Sequence, residues 1–136
     1  MDTGAPRPAV YSDENRLLCA YYISERVVPA NTVAVVRFEG VLQFRFGYPN
    51  DEALHGHPLA KAGLEPYTAY VVENSPLITE IENQNLVHHS FKPGMYKEHF
   101  RHWIISFHDE TLEVVASRAT VAGESRLTPA RAVVPD

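Results

Sequence analysis

Seven histidines occur in this chain of 136 residues, and all seven lie between positions 55 and 108. Two of them flank a glycine in the stretch His55-Gly56-His57-Pro58. In extended backbone, side chains at i and i+2 project to the same side, so two imidazoles so placed can grip one metal ion. A catalytic metal site needs a third protein ligand and an open position. His55, His57 and His108 are the candidate ligand set for one divalent ion, with His99, His102 and Glu113 as further candidates for the third place. Without a metal, the same imidazoles suit proton transfer, because histidine changes charge near neutral pH.

The segment HWIISFHDETLEVVA, residues 102–116, carries the densest chemistry. With Asp109-Glu110 as a two-residue turn, His108 faces Thr111, Phe107 faces Leu112, Ser106 faces Glu113 and Ile105 faces Val114. Strand alternation then sorts the side chains. Trp103, Ile105, Phe107, Leu112, Val114 and Ala116 share a core face; His102, Ile104, Ser106, His108, Thr111, Glu113 and Val115 share the other. That second face is too apolar for solvent and too polar for a dry core. It suits the wall of a cleft that holds a small molecule. The competing reading is an exposed sheet face with weak polar pairs.

In this register Glu113 is diagonal to His108, and a carboxylate beside an imidazole raises its basicity and fixes its tautomer. The expected catalytic set is His108, Glu113, His57 and His55; the expected ligand-binding set is His102, Ser106, Ile104, Tyr48 and Arg101. Asp51 or Asp109 could orient an imidazole, and Arg37 or Arg45 could meet an anionic group, although alternation points Arg45 away from the core.

The elements that position these groups follow from pattern. Residues 1–15 read as a loose lead-in, 16–122 as one globular domain and 123–136 as a tail. Leu17 to Ile23 is a first strand. Thr32 to Phe38 and Val41 to Phe46 read as a hairpin turned at Glu39-Gly40, with Leu42, Phe44 and Phe46 toward the core. Residues 47–66 form a long loop with room for a single helical turn at Asp51 to Leu54. Tyr67 to Val72 is a strand. Ser75-Pro76 starts a helix that runs to about Leu86, since serine caps and proline suits the first helical position. Met95 to Arg101 makes one or two turns, and strands follow at Trp103 to Phe107 and Leu112 to Ala116. The expected fold is α+β, with a largely antiparallel, strongly curved sheet of about six strands and one or two short helices. The competing layout is a small barrel or a cupin-like sandwich.

Composition bounds the rest. The formal net charge is -5 and the twelve basic residues are scattered, which argues against a nucleic-acid partner. No apolar run is long enough to span a membrane. The N-terminal residues lack the pattern of a signal peptide. The single cysteine, Cys19, sits in an apolar run and fits a reducing, cytoplasmic setting. Phosphate-binding, dinucleotide, serine-elbow and HExxH motifs are absent. The functional expectation is a small-molecule enzyme using histidine and glutamate for acid–base chemistry, of isomerase, dehydratase or hydrolase type, with metal assistance left open. The alternative is a non-catalytic domain that binds a small molecule or a protein. A homodimer is the expected assembly.

Overall fold

The computed structural model describes residues 1–26 and 28–135. Its elements in chain order are β1 (Ala9–Ser12), β2 (Arg16–Tyr22), β3 (Val33–Gly47), β4 (Ala69–Val72), α1 (Pro76–Asn85), α2 (Met95–His99), β5 (Arg101–Ser106), β6 (Thr111–Ser125) and α3 (Pro129–Ala132). The six strands form one antiparallel sheet in the order β1-β2-β3-β6-β5-β4. The α+β expectation holds, and the sheet is open rather than closed into a barrel.

The two strands expected at 32–38 and 41–46 are a single strand of 15 residues. Gly40 does not turn the chain back. It has φ 61°, and a Cβ there would lie 2.5 Å from Ser117 Oγ on the neighbouring strand. The glycine therefore bends a continuous ladder, which left-handed backbone and close approach both allow. Phe38 and Val41, three apart, both reach the same core, although three residues of regular strand would put them on opposite faces. β2 pairs with β3 only as far as Glu39, and β5 pairs with β6 only from Thr111 to Ala116. The bend thus joins two half-sheets. Leu17, Cys19 and Phe38 from one half meet Ile105, Phe107, Leu112, Val114 and Ala116 from the other in one buried cluster.

Replacing Gly40 by alanine is expected to destabilise the fold by at least about 1–2 kcal/mol, the cost of left-handed backbone, with the Ser117 clash added. The urea midpoint reads this, and an unchanged midpoint would show that the bend tolerates a side chain.

Leu42, Phe44 and Phe46 are less covered than expected, each retaining 38–39% exposure. Past Glu39 their strand has lost β2 as a neighbour, so this half of β3 is a sheet edge. The ladder also slips between Val41 and Gln43. Gln43 and Arg45 then stand opposite Val115 and Glu113, while Phe44 and Phe46 stand opposite Val114 and Leu112.

Both ends of the chain are more structured than expected. The lead-in contains edge strand β1, paired with β2. In the tail, β6 continues to Ser125 and α3 follows, and Val133 is buried against Leu18, Ala20 and Val33. Cys19 is buried in the core, and burial pushes its thiol up to about 12. It remains protonated and packs as a small hydrophobe. No helix among the described residues is long and apolar enough to cross a membrane.

Candidate functional site

The connection between β5 and β6 decides which histidine meets Glu113. It is four residues long, not two: Ser106 pairs with Thr111, and the Phe107 N–H donates to the Glu110 carbonyl. Ile104 is therefore opposite Glu113, and His102 is opposite Val115. The register differs from expectation by an even number of positions, so every strand side chain keeps its face. The partner changes instead. His102, not His108, lies diagonal to Glu113, and its Nε2 is 3.2 Å from Glu113 Oε1.

A second imidazole arrives from the long loop. Single 3-10 turns at Leu54–Gly56 and Ala60–Ala62 fold that loop back over the sheet. Leu54 is buried beneath it, and His57 is turned inward with Nε2 3.3 Å from the same Glu113 oxygen. The Leu59 N–H donates to His57 Nδ1 at 3.0 Å. A ring nitrogen that accepts carries no proton, so the His57 proton sits on Nε2, the nitrogen nearer the carboxylate.

On the far side of His102, Nδ1 lies 2.8 Å from Ser75 Oγ. Ser75 caps α1, its Oγ accepting the Ile78 N–H at 3.1 Å. With the Ser75 hydroxyl donating to Nδ1, His102 presents Nε2–H to Glu113. The result is a buried hydrogen-bonded chain of Ser75, His102 and Glu113, with His57 Nε2 beside the same carboxylate oxygen, all four at most 9% exposed.

Burial pushes the Glu113 carboxyl up, but the His102 hydrogen bond and the positive charge that His57, His102 and Arg45 can present outweigh it, leaving the group below its ordinary value. Glu113 Oε2 is 4.0 Å from Arg45 Nη1, and Arg45 Nη2 is 3.8 Å from Glu80. Neither is a hydrogen-bond distance, and among the described residues the Arg45 guanidinium makes no hydrogen bond, which leaves its donors for a ligand. Arg45, His57, His102 and Glu113 line a cavity of about 140 Å³ walled by Leu59 and Leu77. Arg45, His57 and Glu113 also line an adjoining cavity of about 300 Å³ that reaches Tyr48 and Thr111.

His108 sits elsewhere. Its Nδ1 is 2.9 Å from Asp51 Oδ2, the Tyr67 hydroxyl donates to the same oxygen at 2.8 Å, and the Tyr67 and His108 rings stack. The Asp51 N–H also donates to the His108 carbonyl. Asp51 and Tyr67 stand at the two ends of the loop that carries His57, so this trio clasps the loop to the β5–β6 turn.

The clasp should be pH-dependent. The Asp51 hydrogen bond, then its charge, raises the His108 imidazole above 6.5. The Tyr67 and His108 hydrogen bonds hold the Asp51 carboxyl below 3.8. Tyr67 itself is pushed up to about 12, by lost hydration first and the Asp51 carboxylate next, and stays a donor. A raised imidazole stabilises fully below its unfolded value and loses that contribution as pH rises through the folded one; a lowered carboxyl contributes above its unfolded value and loses it as pH falls. The two overlap between about pH 4 and 6.5. The stability difference between the wild type and His108→Gln should peak in that window and shrink toward pH 9. Urea midpoints across pH measure it, and a difference that does not vary with pH would remove the proposed clasp.

Of the expected catalytic residues, the structure brings together His57 and Glu113 and leaves out His108 and His55, the latter exposed. Of the expected ligand-binding residues, His102 joins the centre and Tyr48, 85% exposed, reaches only the outer cavity. Ile104 and Ser106 share the Glu113 face but are wholly buried, Ser106 Oγ without a hydrogen-bond partner among the described residues. Arg101 is exposed and lines a separate groove. The trio His55, His57 and His108 does not assemble as a ligand set. Among the described residues no group of three His, Cys, Asp or Glu side chains is disposed to hold a metal ion. The hydrogen bonds agree, since His57 presents a protonated Nε2 to the centre. Arg45 and Ser75 were the residues least legible as site members; the Ser75-Pro76 capping pair placed the serine at a helix start without revealing His102 beside it. Comparison with known proteins found no matching family model, no similar curated protein and no similar solved structure.

Proposed function

We propose that this chain is a small-molecule enzyme whose acid–base centre is Glu113 with His57 and His102. The observation that carries this reading is the convergence of both imidazole Nε2 atoms, at 3.3 and 3.2 Å, on a single carboxylate oxygen beside a cavity. Glu113 Oε1 is held by the imidazoles, which leaves Oε2, on the Arg45 side, to receive a proton. Once protonated, Glu113 is the acid that can return that proton, with the His57 and His102 rings beside its other oxygen. Such positioned proton transfer contributes about 10²–10⁴-fold to rate. Arg45 supplies a cation for a carboxylate or a polarised carbonyl oxygen, and Leu59 and Leu77 supply apolar wall. The cavity size restricts the reacting part to a few heavy atoms.

The reading is tested by incubating the protein in D₂O with small hydroxy acids, oxo acids and short acyl esters, followed by proton NMR. Expected is conversion of one class, seen as loss of a C–H signal or growth of a hydrolysis product, and its absence in Glu113→Gln. Conversion that is equal in both proteins would overturn the reading. Binding without conversion would support the accessory-domain alternative instead.

A further inference from the structure

We infer that Ser75 is the nucleophile of a Ser75–His102–Glu113 relay that hydrolyses small acyl esters, reached from the groove that Ser75 lines. This deepens the acid–base reading above and rests on it. Three observations converge. Ser75 Oγ lies 2.8 Å from His102 Nδ1, and the opposite nitrogen of that ring lies 3.2 Å from Glu113. A hydroxyl, a base and a carboxylate in series are the arrangement that activates a serine, here with Nδ1 toward the hydroxyl and Nε2 toward the carboxylate, the reverse of the serine-protease order. Next, β4 ends at Val72, and Asn74, with φ 51°, turns the chain sharply into α1. Ser75 thus stands at a strand-to-helix corner. Finally, Ser75, itself 4% exposed, borders a groove of about 430 Å³, with Val71 and Ile78 as apolar wall and Glu73, Lys97 and Arg101 as charged groups.

The hydroxyl has one proton and two lone pairs. His102 takes the proton and the Ile78 N–H occupies one lone pair; the other is left for attack. Oγ bonds to the carbonyl carbon of the ester as its proton passes to His102 Nδ1. The ring then carries a proton on both nitrogens, with the Glu113 carboxylate beside Nε2. The tetrahedral intermediate breaks its bond to the leaving alcohol, whose oxygen takes the proton from Nδ1. Water next attacks the acyl-serine carbon and gives a proton to Nδ1. The acyl–Oγ bond breaks as that proton returns to Oγ, releasing the carboxylic acid.

Treatment of the folded protein with diisopropyl fluorophosphate, followed by peptide mass spectrometry, tests the assignment. Expected is one phosphoryl adduct on Ser75, formed about 10²-fold more slowly in Glu113→Gln. Ser75→Asn keeps a capping side chain but has no hydroxyl, so it should stay folded by circular dichroism, take no adduct and lose ester hydrolysis. Absence of an adduct on Ser75 in the wild type, or an adduct whose rate ignores Glu113→Gln, would overturn the relay. Turnover that depends on Glu113 but survives in Ser75→Asn would reject the nucleophile while leaving the acid–base centre standing.

Discussion

Glu113→Gln is expected to lower turnover of the accepted small molecule by about 10²–10⁴-fold with the fold retained. The glutamine oxygen can still accept the His102 N–H and sit beside His57 Nε2, so the geometry around both rings survives. What disappears is the charge. A neutral amide neither takes a proton nor balances an imidazolium, and its NH₂ would face the Arg45 guanidinium where Oε2 stood. Stability should change little, because two terms oppose. Burial disfavours the carboxylate, and charge-assisted hydrogen bonds favour it. The net is expected within about 1–2 kcal/mol. In the wild type the carboxyl lies below its ordinary value of 4.5, so its stabilisation is present above that pH and is lost as pH falls through the folded value. The glutamine variant should lack that acid-side loss. Turnover and urea midpoints measured from pH 3 to 8 check both halves; a glutamine protein that keeps the wild-type rate would remove Glu113 from the chemistry.

The largest effect on stability among the site residues is expected at His102. Its ring is 1% exposed and bonded at both ends, to Ser75 and to Glu113. His102→Ala opens a cavity and strips one partner from a buried carboxylate and one from a buried hydroxyl. Breaking a buried pair in this way costs about 3–5 kcal/mol, a large part of the 5–15 kcal/mol that holds a typical domain. His57 and Arg45 still face Glu113, so the lower end of that range is expected. His55→Ala, an exposed change in the same loop as His57, should stay within about 0.5 kcal/mol. Denaturant curves of the two variants make the comparison. A loss below about 1 kcal/mol for His102→Ala would mean that the buried chain is replaced by water without penalty.

The local signals were legible wherever one residue type has one physical use. Ser75-Pro76 announced a helix start, and the serine does cap α1 by accepting the Ile78 N–H. Alternation along 102–116 sorted the core side chains, and Trp103, Ile105, Phe107, Leu112, Val114 and Ala116 all pack in or against the main cluster. Gly40 was correctly marked as a special backbone position, but a positive φ serves a tight turn and a bent strand alike. Whether the chain reverses there depends on β6, some seventy residues away, running alongside both halves of β3.

The same division runs through the site. From the sequence alone came Glu113 on a mixed sheet face, a histidine near it, His57 as a candidate partner and the α+β class, because period-two alternation and capping are local and survive an even shift of register. Only the tertiary structure decided that the histidine on the sheet is His102, that His57 rather than His55 turns inward, and that His108 serves a clasp with Asp51 and Tyr67. Those choices rest on turn length, on a bulge in β3 and on the folding of a long loop over the sheet. Each is set by contacts between residues far apart in the chain, whose energies no short stretch of sequence contains.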